Sequence, residues 1–204
     1  MEMLRVALPT NLENMQLPAP EMVNYWQLAE NRIFYVDYEI DVSILEIQKA
    51  IININIADKG IDPADRIPIK ILIDSPGGLL AETMSVAATI AMSKTPVITV
   101  NMAEAYSGGS ILLMAGHMRY AMPYSKALIH SGQGGTCGTY EQTVEQQKNY
   151  KRQVEDMGQF ILERTGMDEK IYKKNKTKEW FLMPEEQIQY GVVHAIVTDL
   201  DEIL

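Results

Sequence analysis

Apolar positions along this chain alternate between helical spacing and short unbroken runs. MVNYWQLAEN (22–31) predicts a short helix, and RIFYVDYEI (32–40) reads as a strand. ILEIQKAIININIADKG (44–60) returns to helical spacing and closes on Gly60, which suits a helix end. Pro63 and Pro68 punctuate a loop before IKILIDS (69–75), a strand rich in isoleucine. The alternation then repeats. SPGG is a turn, LLAETMSVAATIAMSK (79–94) a helix, PVITVNM (96–102) a strand and GGSILLMAG (108–116) a helix. Short strands follow near MRYAM (118–122) and KALIH (126–130). Strand and helix alternating in this way argue for parallel βαβ units, and strands this apolar belong in a sheet covered on both faces.

After Gly138 the pattern changes. TYEQTVEQQKNYKRQVEDMGQFILERTG predicts one long helix ending at Gly166. Its apolar positions, Tyr140, Val144, Val154, Met157 and Ile161, form a narrow stripe broken by polar residues in the middle. Such a stripe buries little against its own domain and gains more against another subunit. Residues 1–20, with Pro9, Pro18 and Pro20, show no periodicity and read as an N-terminal arm. The remainder, 21–204, reads as one domain without internal repeats.

Composition narrows the function. The 204 residues are 47% hydrophobic, enough for a core without disulfides or metal. A formal net charge of −9 with no basic block argues against nucleic acid or an anionic membrane as partner. A lone cysteine, Cys137, excludes an internal disulfide framework and a cysteine-based zinc cluster, and no metal or cofactor is expected. The first fifteen residues lack the apolar run of a signal peptide, and no segment approaches the ~18 apolar residues of a membrane span. The expectation is a soluble protein of a reducing, cytoplasmic compartment.

Three segments could carry chemistry. In IDSPGGLLAE, Gly77 and Gly78 lie between a strand and a helix, either as a tight turn or to let backbone amides approach a ligand. In AEAYSGGSILLMAGH, Ser107 stands at a strand-to-helix turn. There it fits an N-cap, and fits equally a nucleophile whose attack leaves an oxyanion facing free amides. In ALIHSGQGGTCG, His130 ends an apolar strand beside a glycine run and is the best general-base candidate of three histidines. His117 and His194 read as surface or structural residues. The open backbone after His130 also suits pairing with an extended peptide.

Taken in order, SPGG, AYSGGSILLMAG, LIHSGQGG and WFLMPEEQIQYGVV resemble the proteolytic subunit of the Clp protease, over roughly residues 22–198. The resemblance implies a crotonase-like α/β fold of repeated ββα units, with a long protruding handle helix over about 139–165. It implies a Ser-dependent endopeptidase that cleaves unfolded polypeptides or peptides inside two stacked heptameric rings, a homo-oligomeric tetradecamer. By the same resemblance Ser107 is the nucleophile and His130 the base. Gly77 and Gly108 form the oxyanion hole, while Gly78, Ser131, Gly132, Gly134 and Gly135 hold substrate backbone.

The sequence departs from the family at two places. Glu179 stands where the family has the triad aspartate; the alternatives are a solvated glutamate there, or Asn175 in its role. Lys70 and Leu72 stand where the family places aromatics that dock an AAA+ unfoldase, which weighs against docking of the usual ATPase. Two further functions stay open. One is a catalytically weak structural subunit of a mixed ring or a phage-type head. The other is a crotonase-type acyl-CoA enzyme, against which the Ser107 and His130 pair argues.

Overall fold

The computed structural model describes residues 19–204, so most of the expected N-terminal arm lies outside the described residues. Helix α1 (Pro20–Glu30) precedes strand β1 (Ile33–Val36), and α2 (Leu45–Ala57) leads to β2 (Ile69–Ser75). Then follow α3 (Leu80–Met92), β3 (Val97–Tyr106), α4 (Gly108–Ala115), β4 (Met118–Ala121) and β5 (Lys126–Ile129). The C-terminal part contains α5 (Tyr140–Thr165), α6 (Glu169–Asn175), β6 (Trp180–Leu182), α7 (Pro184–Gln189) and β7 (Ala195–Ile196).

The main sheet runs β1-β2-β3-β4-β7, every neighbour pair parallel. β2 is paired on both sides and covered by helices, which is why IKILIDS is apolar nearly throughout rather than alternating. β3 is longer than its sequence suggests and continues through AEAY to Tyr106. Its first half pairs with β4 and its last three residues pair with β5, so the sheet forks there. Antiparallel β6 then pairs with β5. The mixed α/β architecture agrees with the expected fold class.

α4 is buried along all eight of its residues, consistent with GGSILLMA being apolar all round. Its C-terminal carbonyls are held by two arginines. Arg119 Nη1 donates to the Met114 carbonyl at 3.0 Å, and Arg164 of α5 donates to Met114, Ala115 and Gly116. Burial, and then the Arg164 charge, pull Arg119 down to about 10, so it remains a cation at neutral pH. Arg119 also meets His194: its backbone N–H lies 3.2 Å from Nδ1 and its Nη2 lies 2.8 Å from Nε2. A neutral imidazole accepts at one nitrogen only, and the shorter, charge-assisted contact makes Nε2 the acceptor.

α5 has 26 residues, about 39 Å at the usual helical rise. Thr139 caps it in a reciprocal capping box with Gln142, and Gly166 closes it in the left-handed conformation. Only Met157, Gly158 and Ile161 are buried, so the apolar stripe holds its C-terminal half to the body. The first turns of the N-terminal half are largely exposed, with Tyr140 79% exposed, as expected of a protruding handle, while Tyr150 turns back onto the body. No helix among the described residues is long and apolar enough to cross a membrane.

Candidate active site

Three strands deliver the site to one edge of the sheet. β3 and β5 are parallel with Tyr106 opposite Leu128, so Ser107 and His130 emerge together from their C-terminal ends. The Ser107 N–H fixes this crossing by donating to the Leu128 carbonyl at 3.0 Å. Between β2 and β3 the register shifts, so that Ser75 lies opposite Ala105. Continuing two residues brings Gly77 level with Ser107. In open parallel sheets, ligands bind outside the carboxyl ends of strands.

The hydroxyl of Ser107 points away from the cap role. Ser107 occupies the N-cap position of α4, yet its side chain makes no capping hydrogen bond. Instead Oγ lies 2.8 Å from His130 Nε2. Its backbone, at φ 51° and ψ −115°, lies in a region that costs a non-glycine residue about 1–3 kcal/mol. Such strain is maintained where the surrounding structure requires it, and here it turns the hydroxyl away from the helix and toward the imidazole.

Gly77 sits behind the serine at φ +94°. A Cβ there would lie 2.7 Å from Ser107 Cβ and 2.8 Å from the Gly108 nitrogen, so only glycine allows this approach. Its N–H donates to Ser75 Oγ at a long 3.2 Å. The Gly108 N–H, at the first turn of α4, has no hydrogen-bond partner among the described residues, as helix geometry dictates for first-turn amides. It is the readier of the two expected oxyanion donors.

A cleft of about 750 Å³ opens over this pair. Gly78, Ser107, Gly108, His130 and Gly132 line it, with Ile40, Leu80, Ile111 and Met157 providing apolar wall. Ser131 instead lines a smaller neighbouring cavity, and its N–H donates to the Lys176 carbonyl at 2.7 Å. Gly134 and Gly135 continue the exposed ribbon beyond the residues lining the cleft. Among the described residues no cluster of His, Cys, Asp and Glu could hold a metal ion.

Glu179 is placed by register rather than by contact. The β5–β6 pairing ends with Ile129 opposite Trp180, so His130 and Glu179 are the residues just beyond its end on the two strands. Its side chain is exposed, and the only hydrogen bond found for the His130 ring among the described residues is the one to Ser107. Asn175 turns its amide back onto the Ile171 carbonyl of its own helix. The residues that sequence reading missed are Tyr150 and the apolar wall. Tyr150 falls in the polar stretch of α5, and its spacing of seven from Met157 was the signal, since two turns of helix bring both to one face.

A family model described as Clp protease matches residues 21–199. The chain belongs to the Clp protease family. The matched span covers every element from α1, apart from its first residue, to β7, including the handle and the three strand ends. The serine, the histidine and the glycine turns therefore all lie within the region that defines Clp protease membership.

Proposed function

We propose that this chain is a serine endopeptidase that cleaves unfolded polypeptides or peptides through an acyl-enzyme. The observation that carries the reading is the 2.8 Å contact of Ser107 Oγ with His130 Nε2, made by a serine that leaves its helix uncapped. His130 takes the hydroxyl proton through Nε2 as Oγ attacks the scissile carbonyl. The oxyanion meets the Gly108 N–H, and the Gly77 N–H once it leaves Ser75. His130 then protonates the departing amine, and water attacking the ester releases the acyl group. Glu179, just beyond the end of the β5–β6 pairing as His130 is, is the acid that would orient the imidazole through Nδ1 during turnover.

Ring assembly belongs to the same proposal. Tyr140 at the start of α5 and the exposed Met22, Tyr25 and Trp26 of α1 are apolar surface that a neighbouring subunit would cover. We propose stacked heptameric rings acting in the cytoplasm, with any AAA+ partner docking through contacts other than the usual aromatic pockets. That His130 Nδ1 has no partner among the described residues favours, as the second reading, a weakly active structural subunit.

Labelling with a fluorophosphonate tests the peptidase. One adduct on Ser107, absent in Ser107→Ala, is the expected result. An assembled wild-type protein that takes no adduct on Ser107 would sink the proposal.

A further inference from the structure

Two cavities meet beside the catalytic pair, and the residues common to both are Gly132 and Tyr150. On one side is the cleft over Ser107. On the other is a cavity of about 350 Å³ bounded by Ser131, Val154 and Lys176. The partition between them is thin: a glycine ribbon and one aromatic ring. The ring lies directly on the ribbon. A Cβ added at Gly134 would sit 3.1 Å from Tyr150 Cζ, and one at Gly132 would sit 3.1 Å from its hydroxyl oxygen. The glycines thus allow the ring an approach that side chains would crowd.

We propose that Tyr150 is a specificity-determining residue of the cleft. Its ring, seated on the Gly132–Gly134 ribbon, closes the apolar end formed by Leu80, Ile111 and Met157 and limits the bulk of the substrate side chain admitted there. Removing the ring opens the cleft into the neighbouring cavity. A tyrosine suits the task because the ring stacks on backbone while its hydroxyl keeps a polar edge toward water. The inference rests on the peptidase reading for its substrate, since the side chain in question is that of a peptide held beside Ser107.

The test measures binding without turnover. Fluorescent peptides differing only in Leu, Phe or Trp at one position are titrated against Ser107→Ala protein carrying Tyr150, Tyr150→Phe, Tyr150→Leu or Tyr150→Ala. Tyr150→Ala is expected to raise the Trp-over-Leu affinity ratio about tenfold, Tyr150→Leu to raise it less, and Tyr150→Phe to leave it within about twofold. That difference corresponds to about 1.4 kcal/mol of discrimination. An unchanged ratio in both Tyr150→Leu and Tyr150→Ala overturns the proposal. Failure of all peptides to bind also overturns it. Fluorophosphonate labelling of Ser107 in the serine-containing protein then states separately whether the peptidase reading stands.

Discussion

Gly77→Ala is expected to disable the nucleophile more than it harms the fold, and a matched control separates the two effects. The new Cβ would lie 2.6 Å from the Tyr106 carbonyl oxygen, 2.7 Å from Ser107 Cβ and 2.8 Å from the Gly108 nitrogen. None of these is the free end of a flexible side chain, so something in the turn must move. The backbone cost at φ +94° is about 1–3 kcal/mol, and crowding adds about 1–3 kcal/mol. For a chain of this size the sum lowers Tm on the order of 10 °C. The softest relief displaces the Ser107 turn, and a shift near 1 Å in a reacting group costs about 10²-fold. Gly60→Ala is the control. It has φ +102°, nearly the same strain, but nothing within 4 Å of the added Cβ. Fluorophosphonate labelling rates and thermal melts of both variants are the assay. Gly77→Ala should lose about 100-fold in labelling, while Gly60→Ala loses a few degrees of Tm and labels normally. Equal labelling in the two variants would refute the argument that Gly77 exists to admit Ser107.

Other expectations concern the acid, the buried ion pair and pH. Glu179→Ala should lower turnover of a short peptide about tenfold or more while leaving Tm unchanged, and unaltered turnover would remove Glu179 from the site. Asp58 is buried, takes a bidentate pair from Arg32 at 2.7 and 2.8 Å, and accepts from Thr95, so its carboxyl is held below the usual range, first by the Arg32 hydrogen bond. Asp58→Asn should cost about 3 kcal/mol in urea unfolding, at the lower end for a broken buried pair because Arg32 can rehydrate. Burial depresses His117 and His194, with nearby Arg164, and for His194 also Arg119, acting in the same direction. The unfolded chain then takes protons near pH 6.5 that the fold resists, so stability should fall as pH drops below about 6.5. Urea midpoints at pH 7.5 and 5.5 check this, and His194→Gln should shrink the difference between them.

Much of the architecture was legible because burial on both faces leaves a strong signature. IKILIDS and GGSILLMAG could be little else than a central strand and a buried helix, and the ends of both were close to those observed. β3 was read short because its last residues leave the covered part of the sheet, where Ala103 and Glu104 are exposed and the apolar run stops. β6 is three residues long and exists only because β5 offers it an edge, a non-local cause that no window of sequence contains. Ser107 and His130 were visible as candidates at strand ends. What joins them is the β3–β5 register, which only the fold supplies. Tyr150 was hidden by polar neighbours, since its partners are glycines that carry no pattern of their own.

The arginines that grip α4 give that helix a role besides filling the core. Its N-terminus carries Ser107, pinned through the Leu128 carbonyl, and its C-terminus is clasped by Arg119 and by Arg164 from the root of α5. Cations suit a helix C-terminus, so the clasp is electrostatically favourable as well as geometric. Eight buried residues, about 12 Å of helix, therefore act as a strut between Ser107 and the handle. The position of the serine is indexed to the helix that stands out from the body rather than to the exposed glycine ribbon beside it. A subunit that grasps the exposed first turns of α5 would be holding the same rigid piece on which the Ser107 hydroxyl is mounted.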